Sequence, residues 1–354
     1  MRAYVLHQRG DICLESVKNP KPGPGEVLVA VRAAGICGSD IPRVYKNGAY
    51  SYPLIPGHEF SGIVTEIGEG VEQRWVGKNV GVFPLIPCKE CEPCQEKKYE
   101  LCRNYSYLGS RRNGGFAELV TVPVENLLEI PANVSLEEAA MLEPMAVAVH
   151  AMRRGLSEEA SPEEKRRPLA VCGLGTIGLL LVMVLQEAGW ENILVIGNKE
   201  FQRRMVVELG IPEDSYCDSR TLSVERWIQN HTDGKGVQTF FECVGRNETV
   251  TQALNGAKPG SRVVLVGNPA SDMILDKNIY WKLLRNQLMV TGTWNSTFIH
   301  EAADDWHYVL QRIQAKRIAP AGLITHKLNF ESLEQGLHIM RDKTEDYGKI
   351  MIIL

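Results

Sequence analysis

The chain has 354 residues, more than one domain usually holds, so about two hydrophobic cores are expected. With 44% apolar residues, 23% charged residues and a formal charge of -4, it lacks the basic excess of a nucleic-acid binder. Its apolar runs are too short to span a bilayer, the residues from Met1 to Leu6 lack the pattern of an export signal, and nine cysteines suit a reducing compartment; a cytoplasmic protein is expected.

The first 150 or so residues hold short β-type runs separated by turns, such as EVLVAV at 26–31 and GIVTEIG at 62–68, and read as a β-rich domain. Within it lies the strongest local signal, CKECEPC at 88–94 closed by Cys102. Two-residue gaps let consecutive thiolates turn toward one centre, so Cys88, Cys91, Cys94 and Cys102 form a tetrahedral set for zinc. Four sulfurs leave no open position, and this zinc is expected to be structural.

The stretch SEEASPEEKRR at 157–167 has little that could fill a core and reads as an exposed loop or a solvated helix. Beyond it, buried strands alternate with helices: LAVC at 169–172, ILVI at 193–196, TFFE at 239–242 and VVLV at 263–266. That alternation predicts an α/β unit built on a doubly wound parallel sheet. Directly after the first strand comes GLGTIG at 173–178, followed by an apolar helix over 179–185. In this context Gly173, Gly175 and Gly178 permit a tight turn and close backbone approach, and Thr176 and Ile177 open a helix whose N-terminus would face a pyrophosphate. At the end of the second strand, where an acid would hold the ribose of NAD, stands Gly197, followed by Asn198 and Lys199, with Arg203 and Arg204 one turn on. Space, an amide and cations suit a 2'-phosphate, so NADP is favoured; NAD, served by Glu200, is the alternative.

Three further segments are dispersed: GICGSD at 35–40, GHEF at 57–60 and LEP at 142–144. Taken singly, each has a plain reading as a core cysteine, a hydrogen-bonded histidine and a helix-capping glutamate. Together, beside the thiolate set, the glycine loop, VGKNV at 76–80 and GGFAE at 114–118, they resemble the zinc-dependent medium-chain dehydrogenase family along essentially the whole chain. The resemblance implies a GroES-like catalytic domain over 1–150, a Rossmann dinucleotide-binding domain over 151–289 and a return to the catalytic domain over 290–354, where KIMIIL at 349–354 supplies a last strand. It also implies a second, catalytic zinc held by Cys37, His58 and Glu143, with Glu59 as an adjacent carboxylate able to reach it. Glu143 stands where alcohol dehydrogenases carry a second cysteine, which is similar to the polyol dehydrogenase branch. The implied reaction moves a hydride between a secondary alcohol and a nicotinamide, and Ser39 would pass the hydroxyl proton outward.

The segments CGSDIPRVYKNGA at 37–49 and GSRRNGGF at 109–116 resemble family members that act on polyol phosphates. On that likeness Arg43 and Lys46 would meet a substrate phosphate, Arg111 or Arg112 would assist, and Trp294 and Asn295 would line the substrate pocket. The alternatives are a dehydrogenase of unphosphorylated polyols, diols or 3-hydroxy amino acids, and a zinc-stabilised nucleotide-binding protein without turnover; the complete set Cys37, Ser39, His58, Glu59 and Glu143 argues against the latter. The expected partner is a small molecule, neither nucleic acid nor membrane. The resemblance further implies homodimers or homotetramers joined by the edges of the cofactor sheets, with 263–266 near the joining edge.

Overall fold

The computed structural model describes every residue except Ala270. The chain divides into two compact units, Met1–Ala146 with Ser296–Leu354, and Val147–Asn295. The first unit opens with an antiparallel hairpin of β1 (Arg2–Gln8) and β2 (Asp11–Ser16). There follow β3 (Glu26–Gly35), β4 (Glu59–Ile67), β5 (Asn79–Val82), the two-residue strands β6 (Leu85–Ile86) and β7 (Ser106–Tyr107), β8 (Leu119–Pro123) and β9 (Leu127–Glu129). Of these, β3 is the spine, buried along nearly its whole length with only Arg32 exposed, and it therefore shows a continuous apolar run instead of alternation. Helix α1 (Leu142–Gly155) carries Glu143 in its first turn.

The second unit holds β10 (Leu169–Cys172), β11 (Ile193–Gly197), β12 (Tyr216–Asp218), β13 (Val237–Glu242), β14 (Ala257–Leu265) and β15 (Met289–Gly292). They form one six-stranded sheet in the order β12-β11-β10-β13-β14-β15, and every adjacent pair is parallel. The order reverses at β10, which is where such sheets receive ligands, at the carboxyl ends of the strands. All residues of β10 and β11 are buried, as central parallel strands require. Helix α2 (Thr176–Glu187) is buried continuously from Gly178 to Leu185, so its apolar residues run all round instead of along a stripe. Helix α3 (Glu200–Glu208) follows β11. Between α1 and β10, Ser161 caps a one-turn helix, Pro162–Lys165, that buries no residue, in keeping with the solvated reading of 157–167.

The segment 263–266, expected near a joining edge, lies on β14, which is paired by β13 and β15 and so stands one strand in from the edge at β15; the sheet's other edge is β12. The fully apolar VVLV run is the signature of an interior strand, whereas Met289 and Val290 on β15 are 48% and 45% exposed. Parallel pairing of β15 also carries the second unit on to Asn295, past the expected turning point at 290.

The chain then re-enters the first unit, where β16 (Ile324–Asn329) and β17 (Lys349–Ile353) pair in parallel. The sheet runs β16-β17-β3-β4-β5-β9, with β8 also on β3. Met351 pairs with Gly35, so the last strand lies against the end of β3. Tyr4, Phe60 and Phe116 are among the largest wholly buried side chains of this unit. Among the described residues, no helix is long and apolar enough to cross a membrane.

Candidate active site

Where β3 ends, a tight turn presents Cys37: its N–H donates to Asp40 Oδ2 at 3.0 Å, and the Asp40 N–H donates back to Cys37 O at 3.0 Å. Glu59, the first residue of β4, is in register with Gly35, which brings His58 and Glu59 beside Cys37. One ligating atom from each of Cys37, His58 and Glu59 lies within 4.8 Å of the others. Gly35 makes the room, since a Cβ there would collide with Glu59 Oε2 and stand 2.7 Å from Lys349 Cε. Glu143 is not one of this close trio. It is buried beside them, with Oε1 accepting from the Tyr107 hydroxyl at 3.2 Å, and the Tyr107 ring is 5.8 Å from that of His58. The Ser39 hydroxyl donates to Cys37 Sγ at 3.4 Å.

Three side chains to which the sequence reading gave no role complete the arrangement. Asp40 is wholly buried, with Oδ1 at 3.5 Å from His58 Nδ1 and accepting from Arg43 at 2.9 Å. Tyr107 orients Glu143. Lys349, also buried, places Nζ on Glu59 Oε2. Burial opposes a charge on His58, yet the Asp40 and Cys37 charges outweigh it and hold the imidazolium pKa well above its usual value. Burial works to lift Asp40 too, and His58 and Arg43 overcome it, keeping the carboxyl below its ordinary range. For Glu143 burial wins: its pKa is pushed up to about 7, despite the opposing pull of His58. For Lys349 burial is opposed by Glu59, Cys37 and Glu143, which together raise its pKa above the ordinary value.

A thiol, an imidazole and carboxylates converging in a buried site are a donor set that suits zinc. The His58 Nδ1 atom, buried without a hydrogen bond, faces Asp40, leaving the other ring nitrogen for a metal, with a carboxylate behind the ring as metal-bound histidines usually have. Asp40 could have been suspected from its place three residues after Cys37, and Lys349 from being a lone cation in an apolar strand; nothing local marks Tyr107.

Ligating atoms of Cys88, Cys91, Cys94 and Cys102 also lie within 4.8 Å of one another. The Cys91 sulfur is 3.5 Å from that of Cys94 and 3.9 Å from that of Cys102. Four sulfurs about 2.3 Å from a shared centre would be separated by about 3.8 Å, so the cage has the size zinc needs. Backbone N–H donors, that of Arg103 foremost, lower the Cys91 thiol to about 6, while burial pushes Cys94 up to about 12.

In the second unit, Gly173 has φ +95° and Gly175, which has no side chain to cap a helix, precedes α2, whose N-terminal dipole favours an anion. A Cβ on Gly178 would collide with Gly173 O, so the loop closes only with glycine there. After β11, the space beside Gly197 is lined by Gln202 and Tyr216: a Cβ would meet Gln202 Oε1 at 2.8 Å and the Tyr216 hydroxyl at 2.9 Å. Gln202 Oε1 accepts from the Asn198 N–H at 2.9 Å, and the Tyr216 hydroxyl donates to Lys199 O at 3.0 Å. Arg203, expected at the 2'-position, pairs with Glu200 at 2.9 Å and Glu213 at 2.8 Å. Lys46 is exposed. Trp294 is 51% exposed, and Asn295 has φ +53° with a buried Nδ2 lacking a partner.

Residues 23–132 match the family of alcohol dehydrogenase GroES-like domains, and residues 176–315 match the zinc-binding dehydrogenases. The chain is 31% identical over 329 residues to galactitol 1-phosphate 5-dehydrogenase of Escherichia coli K12, covering 93% of this chain and 92% of that one. It is 32% identical over 336 residues to L-threonine 3-dehydrogenase of Thermococcus kodakarensis, covering 93% and 91%. The crystal structure of the Escherichia coli galactitol-1-phosphate dehydrogenase superposes with a TM-score of 0.90 at 29% identity, over 100% of both chains. That of a zinc-binding dehydrogenase from Sinorhizobium meliloti 1021, bound to NADP, gives 0.88 at 27% identity over 100% of this chain and 99% of that one. With its GroES-like part, its parallel nucleotide-type sheet and its two clusters of metal-ligating side chains, the chain belongs to the zinc-dependent medium-chain dehydrogenase family of alcohol and polyol dehydrogenases.

Proposed function

We propose that this enzyme oxidises a secondary alcohol of a polyol phosphate, or reduces the matching keto-sugar phosphate, with NADP as the hydride carrier. Cys37, His58 and Glu143 hold the reactive zinc in this reading, and Glu59 stands by as a fourth oxygen donor. When bound, the metal supplies Lewis acidity that eases loss of the substrate hydroxyl proton. Asp40 orients His58, Lys349 balances Glu59, and Ser39 conducts the hydroxyl proton toward solvent. The glycine turn at Gly173, Gly175 and Gly178 and the start of α2 would hold the coenzyme, which when bound would supply a two-electron acceptor for the hydride released from the alcohol carbon. A second zinc in the Cys88, Cys91, Cys94 and Cys102 cage stabilises its lobe.

The observation that carries this reading is the meeting of Cys37, His58 and Glu59 within 4.8 Å, with Asp40 buried behind the imidazole and Glu143 buried on Tyr107, whose ring lies against that of His58. Preference for NADP is supported by the missing acid at Gly197 and by the neighbouring Asn198 and Lys199; Arg203 contributes less than its position suggests, because two carboxylates already engage it. A homodimer formed through β15 is supported by that free sheet edge and by the exposed Met289 and Val290 on it. The likeness to L-threonine 3-dehydrogenase supports a second reading, a 3-hydroxy amino acid as substrate.

The test is a screen of polyol phosphates, keto-sugar phosphates, plain polyols and L-threonine with both coenzymes, on zinc-replete protein. Turnover of a phosphorylated polyol above all others, with NADP, is expected. Preference for L-threonine or an unphosphorylated polyol would reject the phosphate reading, and a strong preference for NAD would reject the coenzyme reading.

A further inference from the structure

Two of the arginines expected to meet the substrate are already paired. The guanidinium of Arg43 is bound by the buried Asp40, and that of Arg112 by Glu26 at 2.6 Å. Arg111 differs: among the described residues no carboxylate pairs with it. Its guanidinium carbon instead lies 4.5 Å from the ring centre of Tyr50 and 4.3 Å from that of Tyr105. Two aromatic contacts restrain a flat group on its faces and leave its edge, where the N–H donors lie, available to an anion. Among the described residues the guanidinium makes one hydrogen bond, from Nη1 to Tyr105 O at 3.2 Å.

The position is tied to the site. Tyr105 stands edge-on to Tyr107 at 6.2 Å, and Tyr107 in turn touches both Glu143, through its hydroxyl, and His58, ring to ring. Tyr50, on the other side of Arg111, belongs to the segment that follows Cys37 and the turn bearing Arg43 and Lys46. Arg111 therefore bridges the two stretches of chain that supply Cys37 and Tyr107. Tyr50 is 73% exposed, so the guanidinium it covers lies at the surface, where a solute can reach it.

We infer that Arg111, held by Tyr50 and Tyr105, is the residue that receives the anionic group of the substrate. This rests on the proposed alcohol dehydrogenase activity and refines its specificity. The shared chemistry is a phosphate or carboxylate carried on the substrate away from the reacting carbinol, which a guanidinium edge meets with paired N–H···O contacts.

The experiment compares the zinc-loaded parent, Arg111→Ala, Arg111→Lys and Tyr50→Ala. It measures kcat/KM on galactitol 1-phosphate, on L-threonine and on the neutral butane-2,3-diol, and inhibition by inorganic phosphate. Losing one charge-assisted pair of contacts should lower the ratio of anionic to neutral kcat/KM by about ten- to hundredfold in Arg111→Ala, mainly through KM. Arg111→Lys and Tyr50→Ala should fall between, and phosphate should inhibit the parent more strongly than Arg111→Ala. If the loss appears with L-threonine and galactitol 1-phosphate is not turned over, the inference stands while the phosphate reading falls. If Arg111→Ala lowers anionic and neutral substrates equally, or phosphate inhibits both forms equally, the inference is overturned. If none of the three alcohols is turned over, equal inhibitor-free phosphate binding by parent and Arg111→Ala, measured calorimetrically, overturns it, and weaker binding by the variant supports it.

Discussion

Asp40 Oδ1 stands 3.5 Å from His58 Nδ1, both side chains almost wholly out of water. A buried imidazole with a carboxylate behind it is locked in orientation, and the carboxylate favours the electron-rich ring that a metal wants. Asp40→Asn keeps the shape and removes the charge. Metal affinity at this centre should fall by about 10- to 100-fold, while the four-cysteine cage retains its own metal. A competition titration with a coloured chelator reads both sites; unaltered affinity in the variant removes Asp40 from any supporting role.

Lys349 and Glu59 form a buried pair in which neither charge has another way to be compensated within the strand that carries it. Lys349→Met strands the carboxylate and should cost about 3–5 kcal/mol of folding stability. Combining it with Glu59→Gln should recover much of that loss, since the isolated charge is gone. Chemical denaturation of the two variants and the parent, in protein stripped of metal, decides the matter. Equal stability of parent and single variant contradicts the pairing.

At Gly197 a carboxylate of the kind that holds the ribose of NAD would crowd Gln202 and Tyr216. Gly197→Asp must push aside Gln202, which caps the Asn198 N–H, and Tyr216, which is anchored on Lys199 O. Overpacking of this kind costs about 1–3 kcal/mol, so the single variant should melt lower and work poorly with either coenzyme. Adding Tyr216→Ala should restore stability and shift preference toward NAD. Full NAD activity in the single variant would show that the neighbours yield freely.

Removing one sulfur from the cage should matter more than its partly exposed position suggests. Cys91→Ser leaves three thiolates, and the lobe over 88–102 has only short helical turns of its own, Glu92–Gln95 and Tyr99–Leu101, to hold it. One zinc equivalent should be lost to a chelator that the parent resists, and alkylation of Cys88 and Cys94 should follow. Mass spectrometry after brief exposure to iodoacetamide counts the modified thiols. Cys172, fully enclosed in β10, should stay unmodified in both proteins.

How much could be read in the chain beforehand depended on distance along it. The sulfur cage and the glycine loop are contiguous, so spacing alone displays their chemistry. Strands β10, β11, β13 and β14 announce themselves as apolar runs because parallel interior strands are covered on both faces. The dispersed centre needed family likeness to join Cys37, His58 and Glu143, and even that left out Asp40, Tyr107 and Lys349. These three meet their partners through tertiary contact: Tyr107 to Glu143 spans 36 positions and Lys349 to Glu59 spans 290. Arg111 and Arg112, adjacent and chemically identical, could not be told apart until the fold put a carboxylate beside one and two tyrosines around the other. The free edge at β15 was hidden for the same reason, since a short strand of mixed polarity resembles a loop.

The span between Glu59 and Lys349 also bears on biosynthesis. A nascent polypeptide on the ribosome holds Glu59 long before the lysine that neutralises it has been translated, and the inserted nucleotide unit is made entirely in the interval. That unit can therefore mature while the surrounding one is still incomplete. Messages broken before the codon for Lys349 would yield a chain with the whole of that inserted unit and an unbalanced negative charge on Glu59 beside Cys37 and His58.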